Sequence, residues 1–100
     1  MKIEVLDEAT EDLIAGYYFY EKQGEGLGGY FLDLMYAEIA SLTLSAGVHA
    51  KALGSHRYVT KRFPYAIYYR VHGDIIRVRA VWDTRKHPIK LRRQLKNRPD

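Results

Sequence analysis

Polar and apolar residues alternate along Lys2-Ile3-Glu4-Val5, the period of a short half-buried strand. From Asp7 the spacing changes. Ala9, Leu13, Gly16, Tyr17 and Tyr20 recur at intervals of three and four, which predicts an amphipathic helix out to about Lys22, with Asp7 as its N-cap and Glu8, Glu11 and Asp12 in the favourable acidic first turns. Glycines at 24, 26 and 29 interrupt the pattern. A second helix is predicted over 27–44, with Phe31, Leu34, Met35, Ile39 and Leu42 along one side, so the two helices form a hairpin. Glu38 borders that apolar side and reads as a rim carboxylate reaching solvent or an arginine.

From His56 the period becomes two. Gly73-Asp74 is a hairpin turn signal, and folding there without irregularity opposes Val71 to Ile76, Tyr69 to Val78, Ile67 to Ala80 and Tyr65 to Trp82 on one face. The other face then pairs His72 with Ile75, Arg70 with Arg77 and Tyr68 with Arg79. This register predicts an apolar side packed on the helices and an open side that is cationic and aromatic. Opposed Arg70 and Arg77 repel unless an anion lies over them. A preceding strand at 57–61 completes a three-stranded antiparallel meander through Arg62-Phe63-Pro64, and the N-terminal strand joins the same sheet. Pro88 opens a short basic helix running through Leu91 and Leu95. The expected fold is α+β: strand, two-helix hairpin, meander with the helices on one face, and a C-terminal helix.

Composition narrows what this fold can do. With 100 residues and 11.6 kDa, the chain is read as a single domain over 1–100. It contains no cysteine, which removes disulfides, thiolate metal sites and thiol nucleophiles. The longest nearly apolar run, Leu13 to Tyr20, is far shorter than a membrane span, and the acidic start is unlike a secretory signal. A cytoplasmic protein without membrane contact is expected.

Charge is divided along the chain. Residues 1–50 hold two bases against nine acids (−7), and residues 51–100 hold fourteen bases against three acids (+11). A basic face on the second half would draw an anionic partner, either nucleic acid or an acidic protein segment. The candidate set is Arg57, Lys61, Arg62, Arg70, His72, Arg77, Arg79, Arg85 and Lys86, interleaved with Tyr58 and Tyr68. Guanidinium forks grip phosphate or carboxylate oxygens, and exposed tyrosines stack on unpaired bases.

Other chemistry is poorly served. Gly24, Gly26 and Gly29 match the G-x-G-x-x-G spacing of dinucleotide sites, but they follow a helix instead of a strand and read as a helix-helix turn. His49, His56, His72 and His87 form no i, i+4 pair, so no metal is expected. Ser41, Ser45 and Ser55 lack a nucleophile elbow. No cofactor is implied.

Several features occur together in order: Asp12-Leu13 and Tyr17-Tyr18 in the first helix, Phe31 in the second, and Arg57 before the meander. Phe63-Pro64-Tyr65 then leads into Ile67-Tyr68-Tyr69-Arg70-Val71, and Ala80-Val81 precedes Arg85-Lys86-x-Pro88. In this order and spacing, over nearly its whole length, the chain resembles toxins of the RelE/ParE family of type II toxin-antitoxin (plasmid stabilisation) systems. The resemblance implies a bacterial cytoplasmic toxin wrapped by the tail of a cognate antitoxin. RelE-like members cut mRNA on the ribosome, using basic residues and no metal to promote attack of a ribose 2′-hydroxyl on the adjacent phosphate. In them an arginine tends to follow the tyrosine that opens the third strand, where this chain has Ala66 after Tyr65, and a tyrosine or histidine tends to lie near the C-terminus. No tyrosine follows Tyr69 and the last histidine is His87, so an endoribonuclease here would need a substitute set from Arg57, Lys61, Arg85 and His87. ParE-like members lack the nuclease residues and act on DNA gyrase, and the resemblance favours that branch, a toxin that is not an enzyme. A binding domain without toxicity is the third alternative. Trp82 stands where many relatives carry histidine, and its predicted place opposite Tyr65 makes it a core residue.

Overall fold

The computed structural model describes residues 1–100. Its elements are β1 (Lys2–Val5), α1 (Asp7–Glu21), α2 (Leu27–Ser45), β2 (Lys51–Ala52), β3 (Ser55–Val59), β4 (Tyr65–His72), β5 (Ile75–Asp83) and α3 (Pro88–Asn97). They form the expected α+β arrangement around an open sheet of order β1-β5-β4-β3-β2. The meander β3-β4-β5 is antiparallel, and β1 joins it parallel to β5. Two boundaries differ from the sequence reading. The first meander strand is Ser55–Val59 and not 57–61, because it starts by pairing with the two-residue β2, which its sequence did not signal. Thr60 ends it by turning its hydroxyl onto the carbonyls of Phe63 and Tyr65. Asp7 is the first helical residue of α1 and not its cap; Leu6 holds the N-cap position with no side-chain bond.

The glycine-rich turn between α1 and α2 is structural. Gly26 takes φ +82°, a left-handed conformation that costs a glycine little. The backbone N–H groups of Gly26 and Gly28 both donate to the Glu21 carboxylate, at 3.0 and 2.9 Å. The anion at the start of α2 is therefore the protein's own side chain, where a dinucleotide site would hold pyrophosphate.

α1 and α2 pack on one sheet face. Ala9, Leu13 and Tyr20 from α1 meet Phe31, Met35, Ile39 and Leu42 from α2, over Tyr65, Ile67, Tyr69, Ile76, Val78 and Val81 from the sheet. Phe31 sits at the centre of an aromatic group with ring centroids 5.0 to 5.1 Å from Tyr65, Tyr20 and Phe63. Gly16 lets this ring approach: a Cβ there would lie 2.6 Å from two Phe31 ring carbons. Glu38 at the border accepts a hydrogen bond from the Tyr58 hydroxyl at 2.8 Å, so its partner is a tyrosine, and Tyr58 faces the helices instead of a ligand.

The β4–β5 register holds for its first half and then slips. His72 opposes Ile75, Val71 opposes Ile76, Arg70 opposes Arg77 and Tyr69 opposes Val78 as the turn predicts. Past that point Tyr68 opposes Ala80, Ile67 opposes Val81, Ala66 opposes Trp82 and Tyr65 opposes Asp83. Arg79 is an extra residue in β5, a bulge, and one extra residue exchanges the faces of everything beyond it. Trp82 is buried, as expected of core, but on the opposite face: it packs with Ala66, Tyr68 and Ala80 against Leu91 and Leu95 of α3. The sheet is thus covered on both sides, and the second face is not the open platform that an uninterrupted hairpin predicts.

Phe31 is fully buried, so Phe31→Ala is expected to cost about 3–5 kcal/mol in urea unfolding, with Gly16→Ala costing about 1–3 kcal/mol by overpacking against the ring. Losses below about 1 kcal/mol for both would contradict the assigned packing.

Candidate functional site

The second sheet face gathers most of the cations. α3 begins with Pro88 in its first turn, and His87 caps it by accepting the Ile89 N–H on Nδ1 at 3.2 Å. Leu91 and Leu95, one helical repeat apart, bury one stripe on Trp82 and Tyr68. Its remaining surface carries Lys90, Arg92, Arg93 and Lys96 and no acid. The helical hairpin on the other side is the reverse: α1 and α2 contain acidic residues and no basic one. The charge division of the sequence therefore becomes a division between layers. A part-buried clamp joins them, Arg98 donating to both carboxylate oxygens of Asp12 at 2.7 and 2.9 Å while the Val81 N–H donates to Asp12 at 3.0 Å.

The anticipated anion-binding residues separate into distinct places. Arg57 donates through Nε to the Tyr68 hydroxyl at 2.9 Å, beside a pocket of about 360 Å³ whose wall includes Trp82, Lys86, Pro88 and Leu91. Lys86 Nζ lies 5.6 Å from the centre of the Trp82 ring, and the Trp82 indole N–H, in a residue only 9% exposed, has no hydrogen-bond partner. Tyr68 is 5% exposed, so it supports Arg57 and offers no face for base stacking. Arg70 donates to the Gly54 carbonyl at 2.9 Å and pairs with the Asp100 carboxylate. Arg77 bonds Glu4 at 3.0 Å and the Asp100 backbone oxygen at 2.7 Å. The repulsion between Arg70 and Arg77 is thus relieved from within the chain. His72 is exposed at the strand end, near Lys51, His56 and Arg70.

Three of the expected residues lie elsewhere. Arg79, 3% exposed, is an interior residue: it donates to Ser55 Oγ, the Leu95 carbonyl and the Pro99 carbonyl at 2.9, 2.9 and 3.1 Å. Arg62 reaches the Tyr30 hydroxyl at 3.0 Å on the helical-hairpin side. Arg85 folds back on Asp83 and lies 5.8 Å from the centre of the Phe19 ring of α1. The four residues an endoribonuclease would need make different local contacts, although His87 stands between Lys86 and Pro88 on the wall of the Arg57 pocket. Arg57 lines the Trp82 pocket, Lys61 lies beside Glu38 and Phe63, Arg85 is held by Asp83, and His87 caps α3. No group of three or more His, Asp or Glu side chains comes together as a metal ion would require.

The electrostatics follow these placements. Burial, then the charges of Arg70 and Arg98, lower the pKa of Arg79 below that of a free guanidinium. Burial, reinforced by the Asp83 charge, pushes the Tyr65 hydroxyl above the ordinary tyrosine range, so Tyr65 is a neutral core residue. Burial acts to raise Asp83, but hydrogen bonds from the Arg85 side chain and N–H, with the Arg85 charge, outweigh it and hold the carboxyl below its ordinary value. Sequence reading missed Arg98, whose partner lies 86 positions away, and missed Arg92 and Lys96. The latter pair did carry a signal, two bases at i and i+4 on one helix face.

Because folded Asp83 titrates below the 3.8 of an unpaired aspartate, its stabilisation is complete above that pH and lost as pH falls through the lower folded value. The stability deficit of Asp83→Asn in urea unfolding is expected to stay constant from about pH 7 to about pH 5 and to shrink only at lower pH. A deficit unchanged at about pH 2 would contradict the pairing with Arg85.

No family model and no curated protein matches the sequence. Among solved structures, a chain of one described as the chromosomal ParDE TA system from P. aeruginosa is similar, with a TM-score of 0.73 and 20% identity over 81% of this chain and 92% of that one. At that identity the likeness is one of architecture, and the protein has the fold of a component of a ParDE toxin-antitoxin system.

Proposed function

We propose that residues 1–100 form one toxin domain of the RelE/ParE family, the toxin of a bacterial type II toxin-antitoxin module of the plasmid-stabilisation kind. It acts in the cytoplasm, and its partner in the resting state is a cognate antitoxin. The observation that carries this reading is the fold shared with a ParDE component over 81% of the chain. The ordered motifs running from Asp12-Leu13 to Arg85-Lys86-x-Pro88 support it independently. The charge division between layers suits a partner that contributes acidic segments to the α3 side, where Arg57 and Lys86 frame a concave pocket. No helix is long and apolar enough to cross a membrane, in keeping with partners met in solution.

Within the family, the ParE-like role, inhibition of DNA gyrase without hydrolytic chemistry, accords best with the site. General acid-base cleavage of RNA needs its donor and acceptor within hydrogen-bond reach of one phosphate. Lys61 lies beside Glu38, Arg85 is held by Asp83, the Nδ1 of His87 is occupied in capping α3 beside the Arg57 pocket, and Ala66, at the position of the missing arginine, is buried under α3. Arg57 with Lys86 is then a docking pair, not a catalytic one.

Induced expression in a bacterial host is expected to arrest growth, relax plasmid supercoiling and leave transcripts intact. Arg57→Gln should relieve the arrest while the purified variant keeps its unfolding midpoint. Rapid cleavage of ribosome-bound mRNA with normal supercoiling would establish the endoribonuclease instead, and normal growth at high expression would favour a binding domain without toxicity.

A further inference from the structure

A second concavity on the α3 side has no part in that reading. It encloses about 300 Å³ and is lined by Leu53, Arg70, Arg79, Arg92, Leu95 and Lys96. Four of these six are cationic, and none is acidic. We propose that this pocket is a binding site for a phosphate group.

Three observations point to an anion there. First, Arg79 is 3% exposed and has no carboxylate partner. Carbonyl dipoles and the Ser55 hydroxyl take four of its five N–H groups, but its charge remains without a counter-ion in a site where burial makes charge costly. Second, Arg92 and Lys96 are exposed, make no ion pair and stand at i and i+4 on a helix with four bases and no acid, an arrangement that repels itself unless an anion bridges it. Third, the carboxylate that does reach this wall is the chain's own. Asp100 pairs with Arg70, brought there by residues 98–100 as their carbonyls bond Arg79 and Arg77.

The chemistry favours phosphate over a single carboxylate. Several cations on one concave wall match a multiply charged anion with three or more acceptor oxygens, and guanidinium forks bind such oxygens in pairs. The volume admits a group of pyrophosphate size. Asp100 would act as an internal competitor, holding Arg70 until a stronger anion displaces it. The group could come from a free phosphorylated metabolite or from a nucleic-acid backbone, and the site chemistry is the same for both.

The inference is independent of the toxin reading, because Arg92 and Lys96 belong to neither the Arg57 pocket nor the proposed gyrase-directed activity. The test titrates the purified full chain with inorganic pyrophosphate, and separately with a short single-stranded oligonucleotide, by calorimetry at low salt. Saturable binding of at least one probe is expected, weakened about tenfold or more by the double substitution Arg92→Gln/Lys96→Gln and little affected by Arg93→Gln on the same helix. Asp100→Asn should act in the opposite direction and tighten binding about threefold. Tighter binding of pyrophosphate would identify a small-molecule source, and binding of the oligonucleotide alone a nucleic-acid backbone. All these substitutions lie at exposed positions, and circular dichroism verifies that each variant is folded. Binding of neither probe, an equal loss from Arg93→Gln, or no gain from Asp100→Asn would overturn the proposal.

Discussion

One extra residue in β5 governs the rest of the architecture. Up to Val78 the strand delivers its apolar side chains to the helical hairpin, and after Arg79 the alternation is displaced by one. Val81 then serves the large core under α1 and α2, while Ala80 and Trp82 build a smaller one under α3. A regular ladder would have sent Trp82 into a space already filled by Phe31, Tyr65 and Tyr20, and would have left Leu91 and Leu95 without a surface to cover. The bulge itself becomes a joint: the Arg79 guanidinium ties β5 to β3 through Ser55 and to the end of α3 through the Leu95 carbonyl.

The two layers differ in charge, and this matters for stability as well as recognition. An acidic hairpin and a basic sheet-helix layer attract across the molecule. That attraction is concentrated where water is largely excluded, in the bidentate Arg98–Asp12 pair, which also satisfies the Val81 N–H. Removing either partner would leave a charge with little access to solvent, which is far more costly than losing a surface ion pair. Elsewhere the basic layer neutralises part of itself, with Glu4 on Arg77, Asp100 on Arg70 and Asp83 on Arg85. Lys51, Lys86, Lys90, Arg92, Arg93 and Lys96 form no ion pair and Arg57 bonds a hydroxyl, so the cations available to a partner are fewer than the formal charge suggests.

The fold that carries this distribution is shared with a component of a ParDE system. A scaffold with one acidic and one basic layer can present different surfaces to different partners. On it Arg57 bonds Tyr68, Lys61 lies beside Glu38, Arg85 is held by Asp83 and His87 caps α3.

Much of the fold was legible from the chain alone, because it rests on local rules. The 3.6-residue spacing from Ala9 to Tyr20, the glycine break, the period of two after His56 and the Gly73-Asp74 turn each determine an element within a few residues of itself. The charge division was likewise written in the order of the residues. Tertiary structure alone decided the bulge, and with it the face of Trp82 and the burial of Arg79 and Tyr68, because an alternating pattern that is apolar on both faces does not reveal where one residue is inserted. It also decided which cations are already paired, since Arg98 with Asp12 and Arg70 with Asp100 are set by distances in space that sequence separation does not encode.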